Sequence, residues 1–354
     1  MVERLRRVLS ILERKGLDGI IMRGREHILY LTGFKGSEAA LLVTSKIAFL
    51  FTDSRYITYA RQAVRHAQVT EVKSGGDEIV KRICDLGLKR VGFDSRNTSY
   101  ETYEEWKRRL GEVELVPLGR EIEEIRKIKE RDEVQKIRGA IRIAETAFFE
   151  CLTEIREGQS ERDIALELDY RMGRVGAERP SFPTIVASGE RSCLPHAFPS
   201  ERRIRKGDVI VFDFGCIFED YCSDETFTVC LGRPSKAVEE VFSCLREARM
   251  RAIDALAEGV SVREVDSRAR EFIRQKGFGE YFRHGLGHGI GLSVHEPPSI
   301  TSEGEGVLES HMVFTIEPGV YIPGQFGVRL EDMVLLEGGT VEVLTRPKEE
   351  LIAL

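Results

Sequence analysis

Residues 2–15 place Leu5, Val8, Leu9 and Leu12 on one stripe of an otherwise charged stretch, which predicts an amphipathic helix. Short apolar runs follow at 19–22, 40–43, 47–51 and 91–93, separated by helical or turn-like stretches. This alternation predicts an α/β domain. It weakens near Val116-Pro117, and the charge-dense stretch 120–132 has the composition of a linker turning into a helix. Over 132–155, Val134, Ile137, Ile141, Ala144 and Phe148 share one helical face. The change of pattern divides the chain into a domain of residues 1–122 and a second of 123–354.

The second domain carries an internal echo. Gly158-Gln-Ser-Glu-Arg-Asp-Ile164 recurs 101 residues later as Gly259-Val-Ser-Val-Arg-Glu-Val265. In each copy a Ser precedes an acid by three residues, the capping-box signature of a helix start (Ser160 to Asp163, Ser261 to Glu264). Further on, Gly207-Asp-Val-Ile-Val-Phe-Asp213-Phe-Gly215 is echoed by His311-Met-Val-Phe-Thr-Ile-Glu317-Pro-Gly319. Two matches at nearly one offset predict a duplicated half-domain of two helices followed by strands that carry a carboxylate.

Composition narrows the class. A length of 354 residues fits about two domains at roughly 150 residues each. The formal net charge of −6 gives no support to a nucleic-acid partner. Apolar runs stay well short of the roughly 20 residues that span a bilayer, and the charged start has no signal-peptide core, so the expectation is a soluble, cytoplasmic protein without a membrane partner. Seven scattered cysteines without a CxxC pair argue against a disulfide framework or a thiolate zinc site. One Asn and six Gln beside many charged residues fit a thermophilic source.

The candidate chemistry lies in carboxylates and histidines. Five of the seven histidines (196, 284, 288, 295, 311) fall within residues 196–311. Asp213, Asp224, Glu317 and Glu331 each sit in an apolar, strand-like context. Desolvating a lone carboxylate costs several kcal/mol, so each on its own would be a salt-bridged or strand-end residue. Four of them brought together by a repeat call for a cation, and a pair of hard divalent ions bridged by carboxylates supplies it. His288, in the glycine-rich segment HGLGHGIGLSVHEPP, would add one nitrogen donor. Four oxygen ligands and an imidazole suit Mn, Co, Fe or Zn. His27, His66 and His311 read as ordinary core or surface residues.

The ordered set Asp213, Asp224, His288, Glu317 and Glu331, with spacings of 11, 64, 29 and 14, resembles the pita-bread metallopeptidases, the superfamily of methionine aminopeptidase, aminopeptidase P and prolidase. Residues 123–354 are similar to the pseudo-twofold catalytic domain of that superfamily. Residues 1–122, through LTGFKGSEAALLV and FTDSRYITYA, resemble the creatinase/prolidase N-terminal domain, which points to the Xaa-Pro branch. The resemblance implies an α/β (α+β) enzyme with two divalent ions, Mn or Co before Zn or Fe. Asp213 would bind one ion, Asp224 and Glu331 would bridge, and His288 with Glu317 would complete the second. A metal-bridging hydroxide would attack the carbonyl before proline, with Glu317 as base. His196 and His295 match histidines that position substrate and stabilise the tetrahedral intermediate. His284 matches a supporting residue at the pocket rim, and Arg329 an arginine that orients the ligands. Small peptides with proline at the second position are the implied substrates, and a homodimer the implied assembly.

Three departures and three rivals accompany this expectation. Pro297-Pro298-Ser299 stands where some dipeptide-restricted relatives carry an arginine, which favours peptides longer than two residues. Phe227 and Ser293 replace an arginine and a glutamate common in the family, and bear on substrate preference. The rivals are a non-catalytic peptide- or partner-binding protein on the same fold, a metal-free creatinase-like hydrolase, and an aminopeptidase of broader specificity. Retention of all five ligand residues with His196 and His295 disfavours the first two; the N-terminal domain disfavours the third by analogy.

Overall fold

The structure is a computed structural model that describes residues 2–72 and 77–354. The chain forms two compact units, Met1–Arg126 and Lys127–Leu354. No helix among the described residues is long and apolar enough to cross a membrane. All seven cysteines are free, five of them buried.

The first unit runs α1 (Val2–Lys15), β1 (Gly19–Met22), α2 (Arg25–Thr32), β2 (Ala39–Thr44), β3 (Ala48–Thr52), α3 (Ile57–Ala63), β4 (Gln68–Glu71), α4 (Asp77–Asp85), β5 (Arg90–Asp94), α5 (Tyr100–Leu110), β6 (Glu114–Leu118) and α6 (Arg120–Glu123). Its sheet has the order β4-β3-β2-β1-β5-β6, with parallel β1–β5, β3–β4 and β5–β6 pairs beside two antiparallel ones. Stretch 114–118, where the sequence pattern fades, is the edge strand β6. Pro117 is tolerated there because one side of an edge strand needs no amide donor. The charged stretch after it is not a bare linker: it forms α6 and a 3₁₀ turn at Glu124–Arg126. His27 is a buried core residue whose Nδ1 lies 2.8 Å from an Arg126 nitrogen, while His66 is exposed. The Asp53-Ser54-Arg55-Tyr56 turn closes on itself, Arg55 donating to the Asp53 carboxylate at 2.6 Å.

The second unit is built twice over. The first half contains α7 (Arg131–Leu152), α8 (Glu161–Arg174), β7 (Arg179–Pro180), β8 (Ile185–Ser188), β9 (Val209–Phe214), β10 (Cys216–Phe218), β11 (Tyr221–Cys222) and β12 (Glu225–Cys230). The second contains α9 (Lys236–Asp254), α10 (Val262–Gln275), β13 (Gly287–Gly289), β14 (Glu296–Ile300), β15 (Met312–Ile316), β16 (Gly319–Ile322), β17 (Phe326–Arg329), β18 (Asp332–Glu337), β19 (Thr340–Val343) and the terminal β20 (Ile352–Ala353). Antiparallel β8-β9-β12 in one half matches antiparallel β13-β15-β18 in the other.

The duplication extends to single hydrogen bonds. Ser160 and Ser261 cap α8 and α10, each Oγ accepting the amide three residues on. The reciprocal capping box, with both side chains engaged, is made instead at α7 by Glu130 and Glu133. Gly158 N–H donates to Ile204 O, and Gly259 N–H to Leu308 O. Gly207 N–H donates to Leu231 O, and His311 N–H to Leu336 O. Gly207 and His311 both have positive φ, 92° and 65°, so a histidine fills the left-handed position that glycine fills in the other half. His311 otherwise pairs with Glu337 at 3.5 Å, away from the candidate site.

Each half has its own apolar core. Phe148, Leu168 and Phe212 fill the first, and Leu245, Val265 and Phe314 the second. Burying one such side chain is worth about 1.5–3 kcal/mol. An isolated bridge between Thr226 and Glu331 joins the two sheets, and the candidate residues gather along this seam.

Candidate metal centre

Strand ends supply the carboxylates. Asp213 is the penultimate residue of β9, Asp224 immediately precedes β12, Glu317 immediately follows β15, and Glu331 immediately precedes β18. Alternation along a strand puts Asp224, Thr226 and Thr228 on one face, with Glu225 and Phe227 on the other. Thr226 is opposite Asp213 in the β9–β12 register and bridged to Glu331, so one position touches both halves.

His288 reaches the cluster from β13, where a bulge between His288 and Gly289 interrupts the pairing with β14. Glycine on either side is required by the strand spacing. A Cβ at Gly287 would lie 1.9 Å from the carbonyl oxygen of Thr315, and one at Gly289 2.1 Å from that of Pro297. His288 Nδ1 lies 3.1 Å from Gly289 O, a contact that assigns the ring proton to Nδ1. Nε2 is then left with its lone pair facing Asp224 Oδ2 at 3.6 Å and Glu317 Oε1 at 3.5 Å. Burial, reinforced by His295, lowers its pKa to about 4, so it is neutral at physiological pH, the form that ligates a metal.

Burial raises all four carboxylates, and repulsion among them adds to the rise for three. Burial lifts Asp224 well above the usual range, and Glu331, Asp213 and Glu317 add to the rise. Glu331 is likewise held well above its ordinary value, burial first and Glu317 next. Glu317 is pushed up to about 8 by burial. Asp213 is raised by burial against the opposing pull of Arg329. Asp213 Oδ1 is buried with no hydrogen-bond partner. Asp224, His288 and Glu331 each bring one donor atom within 4.8 Å of the others. An orphaned carboxylate oxygen, mutually repelling acids and an imidazole lone pair turned toward them form a donor set that fits divalent cations.

Arg329 organises one side of the cluster. Its guanidinium donates to Asp213 Oδ2, to Thr226 Oγ1 at 3.0 Å, to Pro195 O at 3.0 Å and to Tyr321 Oη at 2.7 Å. Tyr321 in turn meets His284 Nε2 at 3.2 Å, and His284 Nδ1 is 2.8 Å from Gly285 O. Burial lowers the His284 pKa to about 4. Thr226 Oγ1 donates to Glu331 Oε2 at 2.8 Å. Sequence reading missed Tyr321 and Thr226, since nothing in a β-rich stretch marks which hydroxyl will meet an arginine.

All nine residues singled out from the sequence line one cavity of about 490 Å³: Asp213, Asp224, His288, Glu317, Glu331, His196, His284, His295 and Arg329. His295 packs against His288 with ring centroids 4.3 Å apart and planes tilted by 58°, and its pKa is lowered by partial burial and by His196. Phe182, Pro183, Ile185 and Val294 give the cavity an apolar wall.

The family models fit this architecture. Residues 135–337 match the model described as metallopeptidase family M24, and residues 4–128 match the creatinase/prolidase N-terminal domain. The chain belongs to metallopeptidase family M24. It is therefore a hydrolase of peptide bonds that uses divalent metal, with an N-terminal domain of the creatinase/prolidase type. The M24 chain is 35% identical over 353 residues to an Xaa-Pro dipeptidase of Pyrococcus horikoshii, covering 99% of each chain. Among solved structures, an Xaa-Pro dipeptidase from Bacillus anthracis superposes with TM-score 0.96 at 37% identity, covering 100% of this chain and 99% of that one. An X-Pro aminopeptidase from Thermotoga maritima superposes with TM-score 0.91 at 38% identity, covering 99% of both.

The three sequence departures resolve differently within the M24 fold. Ser299 lines the cavity. Phe227 does not: it stacks on Phe148 at 4.6 Å on the opposite face of β12, with Lys348 Nζ 4.2 Å over its ring. Its expected bearing on substrate choice therefore gives way to a role in the core. Ser293 donates its N–H to Glu296 Oε1 at 3.0 Å and is not among the lining residues.

Proposed function

We propose that this M24 peptidase hydrolyses the bond between an N-terminal residue and a following proline, in dipeptides and in longer peptides. Two divalent ions, manganese or cobalt, would be held by Asp213, Asp224, His288, Glu317 and Glu331. The observation that carries the reading is the convergence on one cavity of four carboxylates whose pKa values burial raises, and a neutral histidine. Relatives that align over nearly the whole chain and are named Xaa-Pro peptidases support it. When bound, the ions supply Lewis-acid polarisation and an activated water.

The chain's own residues do the rest. Glu317 accepts the proton of the attacking water and delivers it to the leaving nitrogen, which in an Xaa-Pro bond carries no hydrogen and departs poorly unprotonated. His196 and His295 donate to the carbonyl oxygen as its charge develops. Arg329, locked by four partners, fixes Asp213 and the Tyr321–His284 pair. The wall of Phe182, Pro183, Ile185 and Val294 excludes water and receives the pyrrolidine ring.

Substrate length follows from the same arginine. Arg329 is the sole Arg or Lys lining the cavity among the described residues, and every nitrogen of its guanidinium already faces a protein acceptor. With no open cation there to hold a free carboxylate, peptides extending beyond proline are accepted. Assays of Leu-Pro beside Leu-Pro-Xaa, with metal stripped and then Mn or Co restored, test both parts. Metal-dependent cleavage of the two is expected; cleavage of the dipeptide alone overturns the length assignment, and cleavage of neither overturns the function. A homodimer acting in the cytoplasm completes the proposal, and sedimentation as a monomer at micromolar concentration would remove the dimer.

A further inference from the structure

The segment 189–199 carries His196 to the cavity, and both flanks of that segment are tied to a single carboxylate. Glu161, the first residue of α8, is fully buried. Its Oε1 accepts from the Ser188 amide at 2.7 Å and the Ser188 hydroxyl at 2.7 Å. Its Oε2 accepts from the Ser200 amide at 3.0 Å, the Ser200 hydroxyl at 2.7 Å and Arg191 Nε at 3.0 Å. Arg191 also donates to Phe198 O at 2.7 Å, two residues beyond His196. Pro195 O, adjacent to His196, accepts from Arg329.

Five donors on one carboxylate exceed anything the helix start requires. Capping is already done by Ser160. The duplicated half makes the point: the residue matching Glu161 is Val262, fully buried and apolar, and α10 begins in the same way without it. The buried charge therefore serves something that the first half has and the helix start does not need. That feature is the segment presenting an exposed histidine to the cavity.

We infer that Glu161 is a positioning residue that fixes His196 over the reacting carbonyl by clamping Ser188, Arg191 and Ser200. This rests on the role given to His196 under the proposed function. An unclamped segment would let His196 sample many positions, and misplacement by an ångström is enough to lower turnover steeply.

The test uses the metal-loaded full chain with Glu161→Gln, Ser200→Ala, His196→Ala and the Glu161→Gln/His196→Ala double variant. In Glu161→Gln, an amide NH₂ faces donors that it cannot accept from. Its kcat on Leu-Pro-Xaa is expected to fall about 10- to 100-fold, with KM changed less than about threefold. Metal content stays at the wild-type level, and amide exchange across 189–199 accelerates. Ser200→Ala removes the hydroxyl donor and keeps four of the five bonds, and it shifts both readouts the same way by less, which preserves the test should Glu161→Gln fold poorly. The double variant should be no slower than His196→Ala, because groups acting as one unit are not additive. Additive losses, or unchanged exchange in both Glu161→Gln and Ser200→Ala, overturn the inference. Were the wild type to cleave no Xaa-Pro peptide, the functional reading would fall by itself, and the exchange rates would still decide whether Glu161 holds the segment.

Discussion

The two halves of the catalytic unit share a backbone plan down to individual hydrogen bonds and each places two carboxylates at matching strand positions, yet the histidines they bring differ. Gly158 and Gly259, Ser160 and Ser261, and Gly207 and His311 do the same structural work in each half. Against that shared frame, the first half supplies Asp213, Asp224 and His196, and the second supplies His288, Glu317, Glu331 and His295. Even the segments bearing the two cavity histidines are secured differently. His196 depends on Glu161, whereas the turn before His295 is fixed by Glu296, which accepts the Ser293 amide and pairs with Lys129 at 3.3 Å. Duplication thus accounts for the scaffold and its paired carboxylates, and the positions where the copies disagree account for how the histidines are presented.

That contrast can be broken experimentally. The largest effect is expected on the seam, since Asp224 and Glu331, both proposed metal ligands, come one from each half. Asp224→Asn and Glu331→Gln should each lower kcat/KM about a thousandfold or more, with loss of bound metal by elemental analysis. A variant that keeps both ions and near-normal turnover would show that the halves do not share the site. Next come His196→Ala and His295→Ala, each expected to cost about 10²–10³ in kcat with metal retained. If one is silent, the two halves contribute unequally to the carbonyl contact.

Acidity gives a third and smaller effect. The folded, metal-free pKa values of Glu317, Asp224 and Glu331 lie above their unfolded values, so folding favours their protonated forms. Stability from these groups is present below the unfolded carboxylate range and is lost as pH rises toward the Glu317 value of about 8. The metal-free protein should therefore melt at a lower temperature at pH 8 than at pH 5, and the gain in melting temperature on adding Mn should grow over that interval. A gain independent of pH would mean that the cluster is not repelling itself. The smallest test targets what the halves share: Ser160→Ala and Ser261→Ala should each cost about 1 kcal/mol of stability, to similar extents. A large disparity would mean that the caps are not equivalent.

Much of this was legible in the chain. Carboxylates in strands such as VIVFDFG and VFTIEPG violate the rule that such positions are apolar, so they announce themselves without a structure. The glycine-rich run around His288 gave a similar signal, which the spacing of β13 to its neighbours explains. Glu161 gave none. It looked like one more acid in a helical first turn, and only the burial of its carboxylate beneath Ser188 and Ser200 sets it apart. Tyr321 was equally silent, because its partners Arg329 and His284 are brought to it by tertiary packing. Strand β6 was obscured by Pro117, whose cost vanishes at a sheet edge.

The bridge between Thr226 and Glu331 has a kinetic meaning as well. It joins strand ends from the two halves of the catalytic unit, so it closes a long loop of chain and must form after contacts that are local within each half. During refolding, helical signal from each half should therefore return first and peptide hydrolysis last. The appearance of activity would time the docking of one half onto the other.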